Sequence, residues 1–370
     1  MNKIAVYGGG IIAMLLAIAL KEQKREVVMW RPFFKTPQGP NRRVFALNQA
    51  AIHFLQQLGV VLDGATAVEH MLIWDEHTGA SVHFHSADVG CFYLTKIVNE
   101  THLWQKLWEK VQQLSIPVLE LTSDEVFQDE NGLWHGGNNE APFVCIADGA
   151  HSAIRDKLQV PCEHDSYNQL ALVADVNVTG GDRNTAYQVF GPHGPLAFLP
   201  LPDGHGYSIV WSLDTTIAEH YLSLSLPELT IKLAQATDNA LGEIVSIESL
   251  RSYPLHMLHA KQYYGKNWLL VGDSAHYFHP LAGLGLNMGI GDVACLTRLC
   301  VDTSSIEKFL GPYQRERKAT LTPVIMGMKL IKNCFGIQQP FWVKFRSKGM
   351  DWLDHQLLLK KMMLKIIQDI

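Results

Sequence analysis

No run of apolar residues in this chain reaches the roughly 20 that a helix needs to span a bilayer, so any contact with a membrane is expected to be peripheral. The longest candidate, Ile4 to Leu20, is interrupted by Gly8, Gly9 and Gly10, and no small-x-small cleavage site follows it, which argues against a secretory signal. Cysteine is sparse and unpaired in pattern. Cys91, Cys145, Cys162, Cys295, Cys300 and Cys334 form no Cys-x-x-Cys and keep no regular spacing, the usage of buried apolar residues in a reducing, cytoplasmic compartment. Positive charge is not in excess either: 31 Lys and Arg face 36 Asp and Glu, a net charge of -5. That excludes a general nucleic-acid binder, which needs a basic field to displace counterions from phosphate. Three histidine pairs (His83 with His85, His256 with His259, His276 with His279) lack a third ligand in the same segment, so no metal is expected. Internal repeats and low-complexity tracts are absent.

What is present is 370 residues, 47% of them hydrophobic and 18% charged, enough for two or three packed domains. The charge is unevenly placed. From Tyr313 to Ile370 the chain carries 11 Lys or Arg against 4 Asp or Glu, a basic tail on an acidic body. The opening residues spell a β-α-β unit: an apolar strand from Lys3 to Tyr7, a glycine turn, a helix from Ile11 to Gln23 with almost no polar face, and a second strand from Glu26 to Trp30. Further helices are expected from Asn48 to Leu58 and Val98 to Leu114. Strands are expected around the turn His77-Thr78-Gly79 and from Phe143 to Ala147. Between Pro161 and Lys261 apolar and polar residues alternate at period two, the pattern of a mostly antiparallel sheet. Trp268 to Val271 returns to a buried strand, followed by a glycine-rich loop and a helix from about Leu286 to Leu299. Beyond Tyr313 the pattern is helical, with breaks at Pro323, Gly336 and Pro340.

Three motifs carry chemistry. In Gly8-x-Gly10-x-x-Ala13, Gly8 permits a tight turn, Gly10 lets a pyrophosphate reach the helix N-terminus, and Ala13 lets helix and strand pack closely. Such turns usually have an acid about 20 residues further on, at the end of the second strand, to bind the adenosine ribose. Arg31 stands there instead. The second motif is Asp148-Gly149-Ala150-His151-Ser152-x-x-Arg155. The third runs from Gly272-Asp273 through Pro280, Gly283, Gly285 and Asn287, a carboxylate at a strand end followed by bare backbone at a helix start.

With these motifs the sequence resembles the flavin-dependent aromatic hydroxylases of the p-hydroxybenzoate hydroxylase type. It is most similar to their ubiquinone-biosynthesis branch, the 2-polyprenyl-6-methoxyphenol hydroxylases. The resemblance runs from Met1 to about Thr322 and also rests on Arg43 to Leu47, Phe190 to Ala197 with Leu199-Pro200, Arg251 to Leu255, and Tyr313-Gln314-x-x-Arg317. It implies an α/β fold with a Rossmann-like FAD-binding domain (1–66, 91–160 and 262–322), a second, mostly antiparallel substrate domain (67–90 and 161–261) and a C-terminal helical segment (323–370). It implies FAD as cofactor, with Gly8, Gly10 and Ala13 at the pyrophosphate, Arg31 and Arg43 reaching the nucleotide, Asp148 and Gly149 near FAD and the nicotinamide donor, Gly272 and Asp273 at the ribitol, and Pro280, Gly283, Gly285 and Asn287 lining the isoalloxazine. His276 and His279 fall in the same loop. NAD(P)H would be a transient electron donor, O2 the co-substrate, and a hydrophobic aromatic molecule, a polyprenylated phenol, the substrate. Phe198, Pro200 and Trp211 are candidates for its pocket, with core packing as the competing reading. No side chain is assigned as catalytic acid or base. Arg31, Leu284 and Gly291 depart from the family's usual Glu, Gln and Arg. Arg31 and Leu284 keep open a non-catalytic subunit of a biosynthetic assembly, and a soluble phenol is a third reading. The tail, with Lys344, Arg346, Lys348, Lys360, Lys361 and Lys365 among apolar residues, suits an anionic inner-membrane surface or, equally, a cover over the first domain or a partner, in a homo-oligomer or biosynthetic complex.

Overall fold

A computed structural model describes residues 3–32, 43–204, 206–278, 283–300 and 307–368. The opening unit forms as the sequence implies: β1 (Lys3–Tyr7), α1 (Ile11–Glu22) and β2 (Glu26–Arg31), with β1 and β2 parallel. Two further helices follow, α2 (Gln49–Gln57) and α3 (Glu100–Gln113). Asn48 caps α2, its Oδ1 accepting from the Ala51 amide at 2.8 Å. Residues Ala13 to Leu20 of α1 are all buried because the helix is covered on every side, by the sheet, by α3 and by the Leu284–Cys300 helix. That explains an apolar helix without an amphipathic stripe.

β1 also pairs in parallel with Val144–Ile146, and the sheet is completed by Trp268–Leu270 on one edge and Val118–Glu120 on the other. All five strands run the same way, so their carboxyl ends collect Gly8, Arg31, Glu120, Asp148 and Asp273 from distant parts of the sequence along one edge. In open parallel sheets ligands bind there.

An eight-stranded sheet forms the second layer system. Its order is His276–Tyr277, Ile244–Ala260, Cys162–Val178, Tyr207–Asp214, Gly194–Pro200, Thr185–Gly191, His70–Asp75 and Ser81–His85. Every pairing is antiparallel except that of Thr185–Gly191 with His70–Asp75. One face packs on the Thr215–Ser223 and Leu226–Ala236 helices, through Leu172, Phe198, Trp211 and Leu213 against Ala218, Leu229 and Leu233.

The chain after Glu307 departs from expectation at Pro323. One helix, Glu307–Gly336, runs through both Pro312 and Pro323. Pro323 removes the amide that would bond the Ala319 carbonyl, but both residues face water, which satisfies that carbonyl, while Leu321, Val324 and Met328 hold the opposite face in an apolar cluster. The breaks at Gly336 and Pro340 are as expected, and the helices Pro340–Asp354 and Leu357–Gln368 follow. They cover the Ser81–His85 edge of the large sheet. Two of the tail's basic residues are consumed in doing so. Arg346 Nε donates to the buried Asp75 at 2.6 Å, and Lys360 Nζ donates to the His83 carbonyl at 2.8 Å. No helix among the described residues is long and apolar enough to cross a membrane.

Candidate functional site

The glycine turn sets one wall. Gly8 has φ +148, and a Cβ there would lie 2.3 Å from the Ala147 carbonyl oxygen and 2.9 Å from the Ala13 Cβ, so the turn tolerates no side chain. Gly10 is the opposite case. It precedes α1 with φ -85, supplies no side-chain cap, and a Cβ there would meet nothing within 4 Å among the described residues. The first amides of α1 therefore point, with the helix dipole, into open space.

The late loop forms the facing wall and is tied to the turn by close packing. Ile12 of α1 lies against Gly272 (φ +67) and against Gly289, where a Cβ would approach the Ile12 Cδ1 to 2.8 Å. Under the loop is a buried charge network. Asp292 accepts from the Gly272 amide at 2.8 Å, from His276 Nε2 at 2.7 Å and from Arg317 Nε at 2.6 Å. Burial alone would raise the Asp292 carboxyl; His276 and Arg317 outweigh it and hold the pKa down to about 2. His276 is thus committed to the scaffold.

Asp273 follows Gly272 at the end of the Trp268–Leu270 strand and makes no side-chain hydrogen bond among the described residues. Burial pushes its carboxyl up to about 6, against the opposing pull of His276 and Arg43. Arg43 faces it from just before the Val44–Leu47 strand, over the Phe45 ring at 5.0 Å and 3.5 Å from Glu100 Oε1. Asp148 is similar: burial raises its carboxyl, with Ser152 opposing, and its Oδ1 is buried without a hydrogen-bond partner. Arg155 joins the two loops, donating to the Ala150 and Ser274 carbonyls at 3.0 and 3.3 Å. Gly149 and Gly285 border open space.

Asn287 does not present a free amide. Its Oδ1 accepts from the Asn48 amide at 2.9 Å, and its Nδ2 donates to the Ala46 and Gly283 carbonyls at 2.7 and 3.2 Å, binding the Leu284–Cys300 helix to the start of α2. Gly283 (φ +64) lies beside Ala46 in the same junction. Gly291 lines a groove of about 450 Å³ between α2, its own helix and the Glu307–Gly336 helix, room that an arginine side chain would fill. Pro280 and His279 lie outside the described residues.

Arg31 closes the far end. Its guanidinium is buried over the Trp108 ring at 5.3 Å, and Nη2 donates to Glu120 Oε1 at 2.9 Å. Sequence reasoning missed Glu120, Trp104 and Trp108; a strand of three residues ending in an acid, Val118–Glu120, was the available signal. Phe198, Pro200 and Trp211 are brought to the large sheet rather than to the crevice. Phe198 and Trp211 sit in the closed core facing the 215–236 helices, and Pro200 alternates onto the face of Phe198, so core packing accounts for them.

The donor set suits a dinucleotide carrying a flavin: an uncapped helix start, a turn that excludes side chains, and two carboxylates, Asp148 and Asp273, left with unused acceptors in a buried crevice. Comparison with known proteins agrees. Residues 2–327 match the family described as FAD binding domain. The chain is 29% identical to the 3-demethoxyubiquinol 3-hydroxylase of Escherichia coli (strain K12), over 98% of this chain and 97% of that one. It is 28% identical to the mitochondrial ubiquinone biosynthesis monooxygenase COQ6 of Drosophila melanogaster, over 94% and 85%. Among solved structures, p-nitrophenol 4-monooxygenase PnpA from Pseudomonas putida DLL-E4 superposes with a TM-score of 0.79 over 100% of this chain and 99% of that one, at 17% identity. Klebsiella pneumoniae HpxO, solved with FAD and uric acid, gives 0.77 over 99% and 97%, at 14%. By its sequence, and by the crevice that sequence builds, the chain belongs to the FAD-binding domain family.

Proposed function

We propose that the protein is an FAD-dependent monooxygenase that hydroxylates the aromatic ring of a polyprenylated ubiquinone precursor, taking electrons from NAD(P)H and oxygen from O2. The observation that carries the reading is the uncapped, open N-terminus of α1 on the crevice that also holds Asp273 and the buried Asp148 Oδ1, which has no hydrogen-bond partner, in a chain whose relatives are named for ubiquinone biosynthesis. When bound and reduced, FAD supplies the activation of O2 by which one oxygen atom reaches an electron-rich ring. The first amides of α1 hold the pyrophosphate, Asp273 accepts from the ribitol hydroxyls, and Arg43 balances the charge of Asp273. The N-terminus of the Leu284–Cys300 helix favours negative charge beside the ring system, and Asn287 fixes that helix in place. The ring of the substrate is met by the Phe190–Pro195 hairpin, beside a cavity of about 190 Å³ that it shares with Met328, Lys332 and Phe335.

The same reading places the protein on the cytoplasmic face of a membrane that holds the substrate's tail. Its support is the outer face of the last two helices, where Phe345 (64% exposed), Trp352 (58%) and Leu358 (73%) stand among the exposed Lys344, Lys348, Lys361 and Lys365. Two experiments test the reading. NAD(P)H-dependent hydroxylation of a short-tailed 3-demethoxyubiquinol is expected from the purified protein, and NAD(P)H oxidation that yields only hydrogen peroxide with every ubiquinone precursor tried would refute it. Sedimentation with anionic vesicles is expected to fall at least about fivefold in Phe345→Glu/Trp352→Glu, with activity on a soluble phenol unchanged; equal sedimentation would remove the membrane from the account.

A further inference from the structure

In dinucleotide folds an acid at the end of the second strand accepts from the adenosine ribose hydroxyls. Arg31 holds that position here and has donors only, so it cannot do this. The carboxylate is nonetheless present, one strand away. The Val118–Glu120 strand runs parallel to β2 with Glu120 in register with Arg31, and the Leu121 amide donates to the Arg31 carbonyl at 2.9 Å. Neighbouring strands lie about 4.8 Å apart, a displacement that the reach of a glutamate side chain covers.

The pair is held rigidly on one side and open on the other. Arg31 is 8% exposed and stacks on Trp108; Trp108 stacks on Trp104 with centroids 5.6 Å apart; Trp104 Nε1 donates to the Gly9 carbonyl at 3.3 Å. This is a continuous line of contacts from the phosphate turn to the guanidinium. Glu120 Oε1 takes the Arg31 hydrogen bond, while the side chain remains 49% exposed and its Oε2 makes no bond among the described residues. A buried arginine that only needed neutralising would do as well with a buried partner. Here the partner's second oxygen is turned outward, at the end of the strand edge where the nucleotide is read.

We propose that Glu120 is the acceptor for the adenosine ribose of FAD, and that Arg31 is its positioning residue, so that the acid of the second strand has been transposed to the strand beside it. This rests on the flavin reading above. The test is a fluorescence titration of the flavin-free protein with FAD and with an FAD analogue whose adenosine is 2′-deoxy. The wild type is expected to bind FAD about tenfold or more tightly than the analogue, the effect of one hydrogen bond to a charged group. In Glu120→Gln that preference is expected to shrink to within about twofold, and the interchange Arg31→Glu/Glu120→Arg is expected to restore most of it. A purely neutralising role for Glu120 would leave the preference intact in Glu120→Gln, with only the thermal midpoint lowered. Either an intact preference in Glu120→Gln or no preference in the wild type overturns the inference. A wild type that binds neither ligand overturns the flavin reading itself, and this inference with it.

Discussion

At the late-loop end of the crevice the shape is set by backbone, through Gly272, Gly283 and Gly285 over the Asp292 network, whereas at the Arg31 end it is set by two side chains on neighbouring strands. Backbone recognition has no substitute, because a Cβ at Gly8 collides with the fixed backbone carbonyl of Ala147. Side-chain recognition can move, because a carboxylate reaches one point in space from more than one strand. A chain can therefore lose an acid from the second strand and keep the crevice, as long as the glycine end is intact.

The comparison breaks most severely at Asp292. Replacing Asp292 with Asn leaves Arg317 buried without its counter-charge, and unfolding in urea is expected to show a loss of about 3–5 kcal/mol. Because the Asp292 pKa lies at about 2, below its ordinary value, this stabilisation is present at neutral pH and disappears as pH falls from about 4 towards 2. Glu120→Gln, at the other end, is expected to cost about 1 kcal/mol, since its carboxylate is half exposed.

Gly10→Asp separates binding from folding. A Cβ there meets nothing within 4 Å among the described residues and the φ is ordinary, so the aspartate caps α1 and stability is expected to rise by about 0.5–1 kcal/mol. The same carboxylate occupies the anion site, and FAD affinity is expected to fall at least about a hundredfold in a binding titration. Stability lost together with affinity would mean that the helix start is structural.

Asp273→Asn has opposite signs in the two forms. Its raised pKa means that the carboxylate is destabilised by burial, so the flavin-free wild type gains stability as pH falls through about 6 and loses it as pH rises through the same range. The asparagine variant is expected to be more stable than the flavin-free wild type at pH 7, by about 2 kcal/mol, and to lose that pH dependence. It is expected to bind FAD more weakly, which calorimetry at two pH values would check.

The glycine end was legible in the sequence because its constraints are local: Gly8, Gly10 and Ala13 lie within six residues, and Gly272 to Asn287 is one continuous segment. Most strands of the large sheet were legible for the same reason, through their period-two alternation. The Arg31–Glu120 pair was not, because it depends on the register of two strands 89 residues apart. Ile244–Ala260 was obscured by the register shifts along its pairing with Cys162–Val178, which break the alternation. Pro323 misled because the freed Ala319 carbonyl is exposed to water while Leu321, Val324 and Met328 pack the other face, so the helix continues through the proline. Phe198 and Trp211 could be recognised as sheet residues, but which face of the sheet met the crevice was decided by the 215–236 helices packing on the other side.

The most direct test of the account is a spectroscopic titration of the purified wild-type protein with FAD. Saturation at one FAD per chain, with the flavin's visible band and fluorescence perturbed and both changes lost in Gly10→Asp, is the predicted result. A wild type whose titration matches that of Gly10→Asp, with no spectral change at saturating FAD, would contradict it.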